Sequence, residues 1–551
     1  MKLLKSEGVT FAMQMKYSSD DLHKLLRQMQ LAGACVIVLL VCAATLNFVL
    51  DAMFLRVILA AQLICGAAAL LAGRNIIANG LRKIAAGEPS IDSLVALGSV
   101  AAFIHGAYWL IWRLLGGSEA YGTVYFVPMA IIVFAALCGR YFKLLAGDEA
   151  AEPRELAEIL VPACMGIAVL AGFSWYFYNG DSSMSWTIFT ACLLMGCPVT
   201  VGLVRPVALL KGLVAAAKRG ADVQHSRALN EAKDLTLAVL CDRSTVSDEK
   251  IKLTDVIAVS GSSEQMILNL AVSLSQYEEY KSEPVSLALA EEAVAQGVRG
   301  DLPCSDFIYE RNAGIRARCQ RVKVGLGDAG YIKKLCRLSK EAAQQANALT
   351  KDGKTVLFLA ADGYLCGIFA FAYLPKTGSK GEIKKLQDCG LRTMLVTERS
   401  ASAGAFTAGL AGIGKVAAGL NPSEKGELVT SMQLGGERCC VIGSNSDDLP
   451  ALKNAGISAA ESGSEEAARS ICDISIKNNI GTMADVIEIS RKMAQIKRQN
   501  FYFALVFNIV GLPMATGIAY ALGGALPNSF VLTLPVLLSS LCILLNSMRI
   551  R

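Results

Sequence analysis

Histidine is scarce in this chain: there are three in 551 residues, too few and too far apart for a histidine metal cluster. None of the 17 cysteines forms a Cys-x-x-Cys pair. They are scattered through apolar segments and strands, among them Cys35, Cys65, Cys138, Cys366 and Cys472, and nearly all of them read as buried free thiols of a reducing compartment. A cleavable leader is not evident, because about thirty largely polar residues, including Asp20 and Asp21, precede the first apolar run. Internal repeats and low-complexity linkers are absent. The net charge of +6 is small for this length and is accounted for by basic residues anchoring a membrane protein, so no nucleic-acid partner is inferred.

Apolar sequence is abundant. Hydrophobic residues make up 53% and charged residues 18%, too apolar for a soluble chain and too charged for one wholly within a bilayer, so a mixed membrane and soluble architecture is expected. Eight runs are long enough to span, each needing roughly 20 residues: 31–50, 53–73, 92–113, 122–142, 158–178, 185–210, 501–523 and 527–547. The second carries Arg56, placed to snorkel, and the third includes His105. Lys24 and Arg27, Arg82 and Lys83, Arg140 and Lys143, Lys211 and Lys218, Lys497 and Arg498, and Arg549 and Arg551 flank alternate ends of these runs, whereas the 178–181 and 523–526 loops carry little basic charge. The positive-inside rule then puts both termini and the large insert in the cytoplasm.

The sixth run is broken by Cys197-Pro198. Proline in a helix interior frees a carbonyl, tolerated at membrane depth only where protein or a water-filled cavity accepts it; broken helices are where transporters bind ions. Soon after, an apolar strand at 235–240 runs into Cys241-Asp242, a place for a nucleophilic carboxylate. The insert at about 211–500 reads as α/β. Strands are expected at 235–240, 393–396 and 439–442, with a hairpin of 355–360 and 365–370 around Asp362-Gly363 and a helix from Pro450. Strands alternating with helical patterns imply a largely parallel sheet, with ligands at the strand carboxyl ends, where Asp242, Thr397 and Gly443 fall.

Several segments together resemble the copper-transporting branch of the heavy-metal P-type ATPases: Ser90 to Gly98 entering the third span, Tyr125-Phe126 through Gly139-Arg140-Tyr141, Cys197-Pro198 through Gly202-Leu203 and Pro206, Arg498-Gln499-Asn500 with Phe507-Asn508 and Gly511-Leu512-Pro513, and Ser539-Ser540 with Asn546-Ser547-Met548-Arg549. The resemblance implies a bacterial integral membrane protein of eight helical spans. It also implies a cytoplasmic α/β haloacid-dehalogenase-like phosphorylation domain with an inserted α+β nucleotide-binding-like domain. The corresponding divisions are a cytoplasmic segment 1–30, membrane helices in 31–210, phosphorylation-like parts at 211–257 and 373–500, a nucleotide-binding-like part at 258–372, and spans seven and eight in 501–551. ATP, magnesium and a soft metal such as Cu(I) are the implied ligands.

The departures from the family pattern cluster on the chemistry. Its phosphorylation loop Asp-Lys-Thr-Gly-Thr is Asp242-Arg243-Ser244-Thr245-Val246, with a β-branched Thr245 where glycine permits unusual backbone angles. Thr-Gly-Asp is Thr397-Glu398-Arg399. Glu398 brings a second carboxylate towards the nucleophile, at a cost on the order of 4 kcal/mol at about 4 Å and an effective dielectric of 20, with Arg399 placed to offset it or to bind phosphate. Lys425 matches the phosphate-contacting lysine. The magnesium loop is Gly443-Ser444-Asn445-Ser446-Asp447-Asp448, in which Ser444 replaces the first ligating aspartate and Asp447 with Asp448 either supplies the charge or forms a solvated helix-capping turn. Ser282-Glu283-Pro284 lacks the family histidine, and Asn312-Ala313-Gly314 keeps one glycine of a pair.

In the membrane the implied metal ligands are Cys197, Asn508 and Ser540. The other ligand positions are Val199, Phe507 and Val536, and Arg205 lies two turns beyond Cys197, either opposing cation passage or snorkelling. The family's actuator domain, with its Thr-Gly-Glu loop, is replaced by the short acidic linker 143–157, carrying Asp148, Glu149, Glu152 and Glu155. The N-terminal stretch is shorter than the ferredoxin-like metal-binding module common in the family. The expected function is a pseudo-ATPase serving as regulator, scaffold or subunit in metal homeostasis, partnered by the lipid bilayer and by an active P-type ATPase or a separate actuator protein. The alternatives are a residual copper transporter using an Asp242 phosphoenzyme, and a membrane-tethered phosphatase.

Overall fold

Apolar helices and a polar α/β insert separate into two units in the computed structural model. One comprises residues up to 218, 223–233 and 488–551, the other 219–222 and 234–487. The structure describes residues 19–45, 52–115, 124–147, 154–259, 261–311, 313–477, 479–524 and 526–551. Asp148, Glu149, Glu152, Asn312 and Ala525 lie outside the described residues.

In the first unit the chain forms α1 (Ser19–Thr45), α2 (Ala52–Ala72), α3 (Arg74–Ala85), α4 (Ile91–Leu114), α5 (Phe126–Leu145), α6 (Arg154–Asn179), α7 (Ser182–Met195), α8 (Val201–Lys218), α9 (Thr482–Ala515) and α10 (Ser529–Ser547). Five of these helices (α1, α4, α5, α6 and α10) are long and apolar enough to cross a membrane, and a sixth span is counted if α2 and α3, bent by 66°, are one. By length and composition these helices thus support five or six of the eight expected spans. The second run coincides with α2, the sixth is divided between α7 and α8, and the seventh is the apolar end of the long α9, whose first half is charged.

α5 lies at the centre: Phe126, Met129, Ile132 and Leu137 are buried. The Phe126 ring is wedged where Cβ atoms on Gly66 of α2 and Gly106 of α4 would come within 2.8 and 2.9 Å of it, so glycine is what lets these helices close on the ring. Asp92 of α4 and Arg140 of α5 form an ion pair. Exposed Ile37, Val41, Leu71, Ile104, Phe177, Val506 and Leu545 leave far more apolar surface than a soluble monomer presents, as an integral membrane protein requires. Only residues 146–153 separate α5 from α6, so no actuator-like domain stands there.

The second unit contains β1 (Ala221–Val223), β2 (Leu237–Cys241), β3 (Lys252–Ala258), β4 (Cys304–Glu310), β5 (Gly314–Cys319), β6 (Val322–Gly327), β7 (Thr355–Ala361), β8 (Tyr364–Ala372), β9 (Arg392–Val396), β10 (Lys415–Ala417), β11 (Cys439–Ile442), β12 (Ile457–Glu461) and β13 (Ile474–Ile476). One sheet has the order β1-β13-β12-β11-β2-β9-β10, with parallel pairing from β13 through to β10. β2, buried along its whole length, is central, as a continuous apolar run demands. The second sheet, β3-β8-β7-β6-β5-β4, is antiparallel. The 355–370 hairpin turns at Asp362 and Gly363, both with positive φ (46° and 84°), the signature of a two-residue turn.

Cys304 and Cys319 are exceptions to the free-thiol reading: they are joined by a disulfide. They are directly opposed across β4 and β5, and that register, rather than their spacing in sequence, brings them together.

Candidate functional site

Asp242 follows the last residue of β2, and its amide donates to Val396 O of the adjacent β9 (3.1 Å), so the two strand ends are held side by side. That pairing puts Thr397 and Arg399 against the Asp242 carboxylate. Asp242 is 3% exposed. Its Oδ1 accepts from Ser247 Oγ (2.5 Å). Its Oδ2 accepts from Thr397 Oγ1 (2.7 Å) and Arg399 Nε (2.8 Å), and from a terminal guanidinium nitrogen of Arg399. Arg399 is itself fixed. It donates to Ser247 Oγ (3.2 Å) and Thr407 Oγ1 (3.1 Å), and its guanidinium lies 5.0 Å over the Tyr373 ring. Sequence reasoning missed Ser247, Thr407 and Tyr373; Ser247 alone carried a signal, its closeness to Asp242 in the loop.

The loop after Asp242 turns back on itself, with Val246 N and Ser247 N both donating to Asp242 O (3.0 and 2.9 Å). The left-handed residue in it is Ser244, at φ 62°, not Thr245. The strain anticipated at the β-branched residue is therefore displaced by one position. Thr245 is fully buried, and its hydroxyl is 2.7 Å from Ser444 Oγ.

Lys425, 4% exposed, extends from the helix Pro422–Leu434 and donates to Asp448 Oδ1 (2.9 Å) and Glu398 Oε1 (3.0 Å). Burial, the largest single influence, pushes the Lys425 ammonium down, but the charges of Asp448 and its surroundings, with the hydrogen bonds to Asp448 and Glu398, together outweigh it and hold the group above its ordinary range. Glu398 thus turns to Lys425 while Arg399 alone takes the nucleophile. Cys241, buried beside Asp448, has its thiol raised, by burial first and by Asp448 second.

Magnesium requires hard, anionic oxygens in a near-octahedral shell. Asp448 Oδ2 already accepts the amides of Ser444 (3.1 Å) and Asn445 (3.4 Å), and its Oδ1 is held by Lys425. Asp447 lies half-exposed on the short turn Ser446–Asp448 that leads into the next helix. Among the described residues no three His, Cys, Asp or Glu side chains form a group able to hold a metal. As they stand, Asp242 and Asp448 offer a magnesium ion no carboxylate oxygen that is not already held by a protein donor.

In the antiparallel region Ser282 ends one short helix and Glu283 caps the next. Glu283 accepts the Tyr309 hydroxyl at 2.6 Å, and that bond pushes the phenol of Tyr309 up. Tyr309 pairs with Ile315, next to Gly314, so these expected nucleotide residues share one end of the sheet. At Gly314 a Cβ would come within 2.5 Å of Leu326 O and 2.7 Å of Gly327 Cα: its small size serves strand packing.

At the break between α7 and α8, Cys197 is buried. Cys164 of α6 donates to Gly196 O (3.2 Å), a protein donor for a carbonyl at the break; nothing in the sequence linked the two. Asn508 donates to Ala504 O (2.9 Å) and Ser540 to Val536 O (2.8 Å). Both side chains are thus engaged within their own helices rather than with Cys197. Val201, Val204, Ala504 and Ile543 pack together, one turn along α8, α9 and α10 from these positions. Arg205 lies half-buried on α8.

Residues 250–456 match the family model of haloacid dehalogenase-like hydrolases. The chain is 26% identical over 393 residues to a probable copper-transporting ATPase PacS of Synechococcus elongatus, covering 71% of this chain and 52% of that protein. It is 28% identical over 404 residues to a copper-exporting P-type ATPase of Bacillus subtilis, covering 72% and 48%. The chain thus spans about half the length of the curated relatives it matches. A crystal structure of a zinc-transporting PIB-type ATPase in its E2.Pi state superposes with a TM-score of 0.77 at 18% identity, covering 95% of this chain and all of the other, a likeness of fold.

Proposed function

We propose that this chain, a divergent homologue of the copper-transporting P-type ATPases, is a pseudo-ATPase that has kept the fold and given up the phosphorylation cycle. The observation that carries the reading is the Arg399–Asp242 pair. A carboxylate attacks phosphorus through an oxygen lone pair, and here one oxygen accepts three hydrogen bonds and the other one. Bonds to a charged partner are worth about 1.5–3 kcal/mol each, and by drawing charge from the carboxylate they lower its nucleophilicity. The absent Thr-Gly-Glu, the short 146–153 connection and the poor fit to magnesium point the same way. The role that remains is regulator, scaffold or subunit in soft-metal homeostasis, in eight spans with both termini cytoplasmic, beside an active pump or a separate actuator protein.

The test is transfer of the γ-phosphoryl group from ATP to the purified full chain, with Cu(I), Ag(I) or Zn(II) and with magnesium. No acid-stable label is expected. Vanadate-sensitive, metal-stimulated ATP turnover overturns the proposal. A second reading, a residual transporter, is favoured by one observation: Asp242, Thr397 and Lys425 stand at neighbouring strand and helix ends of one sheet. It requires label that disappears in Asp242→Asn.

A further inference from the structure

Beyond the phosphorylation-like and metal-like positions, the helical unit holds a cavity of about 400 Å³ lined by Arg491, Lys492, Gln495, Arg549, Arg551 and Glu488. The lining carries four cationic side chains and one acidic one. The size falls within the range of small-molecule pockets, and the lining has the donor chemistry of a phosphate site. None of these residues belongs to the Asp242 cluster or to the Cys197 break.

The depth of the cavity is set by the helices that form it. Asn500 of α9 donates to Ser547 Oγ at the end of α10 (2.9 Å), and Asn546 donates to Asn500 Oδ1 (2.9 Å). The two helices are therefore level at Asn500 and Ser547. Arg549 follows directly and donates to Asn546 Oδ1 (3.0 Å). Gln495 is about 7–8 Å below Asn500 at the α-helical rise, close to the roughly 5–7 Å of headgroup layer on each side of a hydrocarbon core. The α9 face that carries Arg491 and Gln495 continues, at helical spacing, into exposed Tyr502, Val506 and Ile509. On α10, Leu541, Leu545 and Met548 are likewise exposed. The basic cavity thus lies just beyond the polar end of the apolar runs, next to exposed apolar surface of α9 and α10.

We propose that this cavity binds the phosphate of an anionic phospholipid headgroup, with the acyl chains lying along the exposed faces of α9 and α10. Basic pockets beside membrane helices at the cytoplasmic surface recognise lipid phosphates in this way, and each cation near such a surface is worth about fivefold in affinity. A snorkelling reading treats the same residues as one part of a diffuse positive field. It predicts that removing any two interfacial cations has the same effect.

The experiment uses the full chain purified in a zwitterionic detergent. Retained phosphatidylglycerol is counted by native mass spectrometry, and thermal stability is followed during titration with phosphatidylglycerol, phosphatidylcholine or soluble glycerol phosphate. Compared are wild type, Arg491→Gln with Lys492→Gln, Arg551→Gln alone, and a control, Arg82→Gln with Lys83→Gln, which removes equal charge from α3. Phosphatidylglycerol is expected to stabilise wild type and the control alike, with roughly thirtyfold weaker binding to the Arg491/Lys492 variant and about fivefold weaker binding to Arg551→Gln. Equal losses in the control and pocket variants, or no loss in either, overturn the proposal. Stabilisation by glycerol phosphate as strong as by lipid assigns the cavity to a soluble phosphate ester and overturns the lipid assignment.

Discussion

Arg399 places two guanidinium nitrogens on a single oxygen of Asp242, so the position expected to accept a phosphoryl group is held by a cation of the same chain. The pair is largely buried, with Asp242 at 3% and Arg399 at 23% side-chain exposure. Removing one partner of such a pair leaves an uncompensated charge and costs about 3–5 kcal/mol. Arg399→Ala is expected near the lower end, about 3 kcal/mol, because the guanidinium keeps some solvent. Asp242→Asn is expected to lower stability comparably without removing any ATP turnover. Chemical unfolding and an ATPase assay on the same preparations check both statements.

Lys425 and Asp448 form a second buried pair, and its pH dependence has a definite sign. The folded-state pKa of Lys425 is raised above an unfolded value of about 10.4. The stability it contributes is therefore fully present below that value and lost as pH rises through the folded pKa. Thermal melts are expected to show no contribution from this pair to pH dependence between pH 8 and 10, and a loss above about pH 10.5 that Lys425→Met abolishes. At neutral pH Lys425→Met is expected to cost about 3–5 kcal/mol, and Lys425→Met with Asp448→Asn less.

Ser244 and Thr245 make opposite predictions from adjacent positions. A left-handed non-glycine residue costs about 1–2 kcal/mol, so Ser244→Gly is expected to be neutral to stabilising by about 1 kcal/mol, after the added flexibility of the unfolded chain. Thr245→Gly, which restores the family's glycine, removes the buried contact with Ser444 and is expected to destabilise by about 1–2 kcal/mol. Denaturant midpoints of the two variants decide this.

Gly314→Ala brings a methyl group against Leu326 O and Gly327 Cα. Backbone atoms cannot rotate away as side chains do, so a loss of about 1–3 kcal/mol is expected, and it should be the same with and without ATP. A loss that appears only with ATP present would assign Gly314 to nucleotide contact.

Most of the α/β framework was legible in the chain itself. The apolar run into Cys241, the strands at 393–396 and 439–442 and the Asp362-Gly363 hairpin all formed where period and turn chemistry put them. Of the site, Asp242 and Thr397 were placed at strand carboxyl ends by the apolar runs before them, and the structure puts the two in contact; Lys425, on a helix, was singled out only by its resemblance to the family's phosphate-contacting lysine. Ser247, Thr407 and Tyr373 were not found, because their contacts with Arg399 and Asp242 depend on side-chain direction across different elements. Of the eight apolar runs, the sixth forms two helices on either side of the Cys197-Pro198 break, because proline cannot continue the hydrogen-bond ladder.

By itself, then, the sequence determined the apolar and polar partition, the order of strands and helices, and the lost residues of the phosphorylation and metal motifs, since each of these is local. Only the tertiary structure decided that Arg399 takes Asp242 while Glu398 takes Lys425, that the left-handed residue is Ser244, that Cys304 meets Cys319, and that Cys164 reaches the Gly196 carbonyl. Apart from the backbone of Ser244, which is set by the loop closing on Asp242, each is a choice among partners settled by strand register and helix packing rather than by composition or spacing.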